Sequence, residues 1–160
     1  MAFGIETLRL DNCARLGIAP LPGRWGNAPG DMAAIRAWAP DIVVSMTEAG
    51  EMARHRMADL AGLLARDGID HAAFPIRDFG TPEVAGDWPA LAARLHRILD
   101  DGGAVLAHCY GGRGRSGMVL MRLMVERGYP PADALDAIRE VRPGAVETAA
   151  QQEWGAGRAG

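Results

Sequence analysis

The 160-residue chain is the size of one ordinary domain, and 49% of it is hydrophobic, enough for a single core. Charged residues are 23% and the net charge is −3, which argues against a disordered polyelectrolyte and against a globally basic nucleic-acid binder. All 17 basic residues are Arg, so chemistry that needs a Lys is excluded.

The chain opens with a weakly alternating segment, Gly4 to Leu10, expected as an edge strand. Gly17 to Leu21 is expected as a second short strand, followed by a Gly/Pro loop from Pro20 to Gly30. Asp31 is expected to N-cap a helix ending near Ala39-Pro40. Asp41 to Met46 is a β-branched run with the length of a buried strand. One or two helices are expected from Ala49 to Asp67, then a strand from Ile69 to Ile76. Pro82 and Gly86 bracket a loop, and Trp88 to Leu99 has helical spacing. After the Asp101-Gly102-Gly103 turn, Ala104 to His108 reads as a short buried strand. Glycine-rich Tyr110 to Gly114 feeds a helix from Arg115 to Arg127, stopped at Gly128. Pro131 to Glu140 is a further helix, and Thr148 opens the last.

Strands alternating with helices imply an α/β fold: a mostly parallel central sheet with helices on both faces. One domain is expected over residues 1–154, with a flexible tail over 155–160. No apolar run is long enough for a membrane span; the best, Met118 to Val125, is broken by Arg122. The N-terminus has no signal-peptide pattern, and two cysteines allow one disulfide at most. A cytoplasmic monomer is the expectation, without metal or other cofactor. His55, His71 and His96 lack metal-ligand spacing.

In open parallel sheets, ligands sit beyond the carboxyl ends of the strands. Attention therefore falls on His108-Cys109-Tyr110-Gly111-Gly112-Arg113-Gly114-Arg115-Ser116-Gly117. A strand delivers Cys109 to the sheet edge, and the glycines allow the backbone to curl until its N–H groups face inward. The following helix adds its positive end, and Arg115 adds a planar fork for two oxygens of one phosphate. The parts describe a cup for a tetrahedral dianion with a sulfur at its floor. Tyr110, Gly111, Gly112, Arg113, Gly114 and Arg115 form the cup, and His108 fixes the loop. Cations and a helix N-terminus favour the thiolate of a cysteine. Such a thiolate loses intrinsic nucleophilicity in proportion, so most acceleration must come from donors that stabilise the transferring phosphoryl group. A Cys followed six positions later by Arg is weak by itself; the whole constellation is not. The bland alternative is a glycine-rich βα turn around a buried Cys.

These residues resemble the signature of the cysteine-dependent protein tyrosine and dual-specificity phosphatases: His-Cys, five residues, Arg, then Ser or Thr. The resemblance is closer still to the cyclin-dependent-kinase-associated branch. It includes Pro75-Ile76-Arg77-Asp78-Phe79-Gly80-Thr81-Pro82-Glu83 and Gly144-Ala145-Val146-Glu147-Thr148. The resemblance implies a cofactor-free phosphomonoester hydrolase working through a cysteinyl-phosphate, with a phosphorylated protein or peptide as substrate. Cys109 is then the nucleophile, Arg115 the phosphate clamp, Asp78 the general acid, and Ser116 the donor to the departing sulfur. Glu83 is a rival acid and Asp87 a weaker one. Glu147 stands where tyrosine-specific members have a water-orienting Gln, which leaves that role open for Glu147, Gln151 and Gln152; a surface position is expected for them. Arg113 matches a basic position of lipid-phosphatase relatives, whereas Tyr110 does not, so a phosphoinositide or inositol phosphate stays an alternative. A non-catalytic phosphate-binding module is a second alternative, and an arsenate reductase or sulfurtransferase a third. Otherwise Arg113 is a solvated charge or pairs with Glu48 or Glu51, and Glu51 is a candidate to orient Arg115. Cys13 is expected to be buried, with a disulfide to Cys109 the minority expectation. Met118, Met121 and Met124 are read as core. Arg24 and Trp25 are near substrate by loop position alone.

Overall fold

The computed structural model describes residues 2–82 and 87–158. Five strands form one sheet: β1 (Glu6–Arg9), β2 (Arg15–Ala19), β3 (Ile42–Ser45), β4 (Asp70–Ala73) and β5 (Ala104–His108), in the order β1-β2-β5-β3-β4. β1 is antiparallel to β2, and the other pairings are parallel. β5 is thus central, every one of its residues is buried, and its carboxyl end opens between those of β2 and β3. The α/β expectation of a mostly parallel sheet with helices on both faces holds.

Among the described residues seven helices cover the sheet: α1 (Ala28–Trp38), α2 (Ala49–Arg54), α3 (Leu60–Arg66), α4 (Trp88–Asp100), α5 (Gly114–Glu126), α6 (Pro131–Val141) and α7 (Ala149–Gly155). Strand alternation sorts the core onto two faces. Leu16, Ile18, Ile42, Val44, Val105 and Ala107 join α4 to α7 on one side. Val43 and Leu106 join Met32 and Ile35 of α1 and Leu60 and Leu64 of α3 on the other. Met118, Met121 and Met124 are all in the first cluster, as the helical spacing indicated.

Three local expectations are corrected. Asp31 does not cap α1. Asn27 does, its side chain accepting from Gly30 N–H, and buried Asp31 accepts from Gly23 N–H at 2.8 Å. β4 stops at Ala73 rather than Ile76 because the register slips there: Phe74 N–H donates to Ser45 C=O and Ile76 N–H to Met46 C=O, two residues on one side against one on the other. The chain end packs further than expected: α7 runs to Gly155, and Gly155 and Ala156 are buried. No helix of the described residues is long and apolar enough to cross a membrane.

Candidate active site

β5 delivers His108 and then Cys109 to the carboxyl edge of the sheet, where the chain turns through residues 110–113 into α5. The turn is held from outside by its carbonyls. Tyr110 C=O accepts from Leu21 N–H at 3.1 Å and from Arg24 Nη1 at 3.3 Å. Gly111 C=O and Gly112 C=O accept from Arg142 Nη2 at 2.8 Å and Nε at 2.9 Å. Arg113 C=O accepts from Gly117 N–H and Val146 N–H. With the carbonyls taken, the N–H groups of Gly111, Gly112 and Arg113 donate to no backbone group among the described residues. The peptide dipoles of a loop tied this way point their positive ends inward, the geometry of an anion nest. Glycine is required at 112: φ is +69°, and a Cβ there would lie 2.5 Å from the backbone of Ala19 and Pro20. At 114 a Cβ would meet Glu147 Oε1.

Cys109 is 3% exposed, and its Sγ lies 3.2 Å from Ser116 Oγ, itself fully buried in the first turn of α5. Arg115 is 1% exposed. Its Nη1 and Nη2 donate to the two carboxylate oxygens of Glu51, each at 2.8 Å, and Nη1 also reaches Ile76 C=O at 3.0 Å. Burial works against the Arg115 charge, but the Glu51 hydrogen bond and the fields of Cys109, Glu51 and Asp78 outweigh it and raise its pKa. Burial likewise pushes the Glu51 carboxyl up, and hydrogen bonds from Arg115 and the Glu48 backbone bring it below the ordinary value. The expected link between Glu51 and Arg115 is therefore present. The remaining nitrogen, Arg115 Nε, is buried without a partner, alone among the buried side-chain polar atoms of the described residues.

Asp78 follows β4 on a loop beside this pocket. Its Oδ1 is 3.2 Å from Arg115 Nη2, and its side chain is 49% exposed. The loop turns tightly: Gly80 N–H donates to Arg77 C=O at 2.8 Å, and Phe79 takes a left-handed φ of +60° with its ring exposed. Glu83 lies outside the described residues. Asp87 is exposed at the start of α4 and makes no ion pair with Arg115 among the described residues. Gln151 is not at the surface. It is fully buried because it serves both ends of a bridge: Oε1 accepts from Glu147 N–H and Thr148 N–H, and Nε2 donates to Gly80 C=O at 3.1 Å. Glu147 is exposed and Gln152 partly so.

His108 is 1% exposed and sits in a relay that composition did not announce. Its Nε2 shares a hydrogen bond with Ser45 Oγ, and Ser45 Oγ shares another, at 2.8 Å, with His71 Nε2 on β4. His108 Nδ1 lies 3.1 Å from Cys109 C=O. Burial foremost, then the His71 and Arg115 charges, push His108 down to about 4, so it is neutral at pH 7. Arg113 is exposed and pairs with neither Glu48 nor Glu51. Cys13 is exposed rather than buried, in the β1–β2 turn at the amino end of β2. A five-residue strand spans about 16 Å, against a usual Cα separation of about 4.4–6.8 Å in a disulfide. Pairing of Cys13 with Cys109 is thereby excluded in this fold. Arg142, Ser45 and the bracing role of Arg24 escaped the sequence reading, since none is near the motif in the chain.

The family model of cyclin-dependent kinase inhibitor 3 matches residues 8–133. The chain belongs to that family. The cyclin-dependent kinase inhibitor 3 of Homo sapiens is 32% identical over 153 residues, covering 89% of this chain and 71% of that protein. The fold of this chain matches the crystal structure of kinase associated phosphatase with the catalytic-site cysteine replaced by serine, at a TM-score of 0.84 and 27% identity over 97% of this chain and 93% of the other. It also matches Tk-PTP in the active form, at 0.71 and 28% over 87% of each chain. This family member is a cysteine-based phosphatase of the protein-tyrosine and dual-specificity class.

Proposed function

We propose that the enzyme hydrolyses phosphotyrosine and phosphoserine or phosphothreonine on proteins, with Cys109, Arg115, Asp78 and Ser116 as its catalytic residues. The observation that carries the site assignment is the unpartnered Arg115 Nε. An unpaired buried donor costs about 1–3 kcal/mol, and a phosphate oxygen removes that cost. Cys109 Sγ attacks phosphorus while the bond to the ester oxygen breaks, and the protonated Asp78 carboxyl gives its proton to the leaving oxygen. The inward N–H groups from Tyr110 to Ser116 and Arg115 hold the equatorial oxygens, whose charge is the main thing to be stabilised. In the second step water attacks the cysteinyl-phosphate, the Asp78 carboxylate takes its proton, and the Ser116 hydroxyl hydrogen-bonds the departing sulfur. His108 and Arg142 position the loop.

Both cysteines are free, which suits a reducing compartment such as the cytoplasm. The protein substrate is favoured over a lipid because Tyr110, not a second base, follows the nucleophile. The test is a panel of phosphotyrosine and phosphothreonine peptides, phosphoinositides and an aryl phosphate, run on wild type and Cys109→Ser. Turnover of peptides by wild type, with binding but no turnover by the variant, is expected. Full activity of the variant, or preference for the lipid, overturns the reading.

A further inference from the structure

Beside the catalytic cup lies a groove of about 370 Å³ whose lining includes Arg24, Arg54, His55 and Arg56 and no carboxylate. None of the three arginines is ion-paired among the described residues, in a molecule whose net charge is −3. The carboxylates of the same helix are turned elsewhere. Glu51 is committed to Arg115, and Glu48 closes a capping box with Glu51 at the amino end of α2, while Arg54 and His55 occupy its carboxyl end. Arg56 follows with φ of +58°, a left-handed position that favours glycine, yet a long cation is carried there.

The groove is joined to the cup by one residue. The Tyr110 ring, next in the chain to Cys109, has the Arg24 guanidinium 4.0 Å from its centroid and the His55 ring at 5.4 Å. Arg24 is thereby fixed in place, stacked on Tyr110 and bonded to its carbonyl. Trp25, one of the two exposed large apolar residues among those described, flanks it.

The geometry points to a second phosphate subsite, formed by Arg24, Arg54 and Arg56, for a peptide that carries two phosphorylated residues. This rests on the protein-phosphatase reading above. Residues two to four apart on an extended peptide place their side groups roughly 7–14 Å apart. Tyr110, next in the chain to Cys109, carries the Arg24 guanidinium 4.0 Å from its ring centroid, so the subsite begins one residue from the cup. Arginine suits the task because its fork takes two phosphate oxygens at once. An aromatic wall at Trp25 fits a peptide chain better than a free headgroup in water.

The deciding comparison uses two peptides of one sequence, with a single phosphotyrosine or with an added phosphothreonine three residues away. Affinity is measured in the Cys109→Ser background, with and without Arg54→Gln and Arg56→Asn together; Asn tolerates the left-handed backbone. The doubly phosphorylated peptide is expected to bind at least tenfold more tightly at low salt. The double variant and 0.5 M salt should each bring the ratio near one. An initial ratio near one, or a ratio unmoved by the double variant, overturns the subsite. A ratio that moves for inositol bisphosphate and not for the peptides overturns the peptide assignment. Turnover by the enzyme with Cys109 intact is read separately, so loss of all peptide turnover would sink the functional reading while binding still decides the subsite.

Discussion

Glu51 meets Arg115 fork to fork, its Oε2 2.8 Å from Nη1 and its Oε1 2.8 Å from Nη2. The pairing occupies the far edge of the guanidinium and leaves Nε without a partner. Glu51→Gln keeps the shape but gives up one of the two matched acceptors. Misplacing a clamp by about 1 Å can cost on the order of 10²-fold in rate, so kcat/KM for an aryl phosphate should fall by about 10- to 100-fold. Steady-state kinetics settle it, and an unchanged kcat/KM removes Glu51 as the residue that positions Arg115.

Asp78→Asn preserves the side-chain volume beside Arg115 and removes the carboxyl proposed as the proton donor. The loss in kcat should be about 10²–10⁴ for an alkyl phosphate, whose leaving oxygen needs that proton. It should be much smaller for p-nitrophenyl phosphate. Equal losses on both substrates would strip Asp78 of its role as the acid and turn attention to Glu83.

The fold carries a pH dependence that lies in the histidines. His108 is pushed down to about 4 by its burial, against an ordinary value of 6.5. Between those values the unfolded chain holds a proton that the folded one rejects. Stability must therefore fall as pH drops from 6.5 toward 4, at up to about 1.4 kcal/mol per pH unit, or roughly 3 kcal/mol in all. His71, also lowered by burial, acts in the same direction. Glu51, held below 4.5, loses its contribution only under that value, so the upper part of the window belongs to the histidines. Urea midpoints at pH 7, 6 and 5 should decline in the wild type and less steeply in His108→Gln. A wild type with the same midpoint at all three values contradicts the argument.

Gly112→Ala places a methyl group 2.5 Å from the Ala19–Pro20 peptide at a φ of +69°. Backbone there cannot retreat without unseating β2 from β5, which pair up to Ala19 and His108. Melting should reveal a loss of roughly 1–3 kcal/mol, together with weakened binding of inorganic phosphate. Phosphate binding of wild-type strength would show that the loop tolerates a side chain there.

Much of this site was legible because its chemistry is contiguous. His108 through Gly117 contains the strand end, the turn with its inward N–H groups and the first turn of α5 with Arg115 in one stretch, and β5 lies over the very residues its apolar run marks. Asp78 is proposed through the resemblance alone, since an Asp before Phe79-Gly80 is equally a turn former. Arg142 was not reachable at all. It lies 30 positions from Gly112, and only the packing of α6 against the sheet brings its fork to the loop carbonyls. Gln151 was misplaced because a polar residue near the chain end reads as surface, whereas here one amide serves two loops. Asp31 was misread for the reverse reason: an acidic residue at a helix start is usually a cap, and this one holds the Gly23 amide.

The two cysteines lie at opposite ends of the sheet, and the chain has no third. Peroxide that converts Cys109 to a sulfenic acid thus leaves it no neighbouring thiol of its own chain to condense with. Shelter from further oxidation is then left to a backbone nitrogen beside the sulfur, closing a sulfenamide, or to small thiols diffusing in from outside.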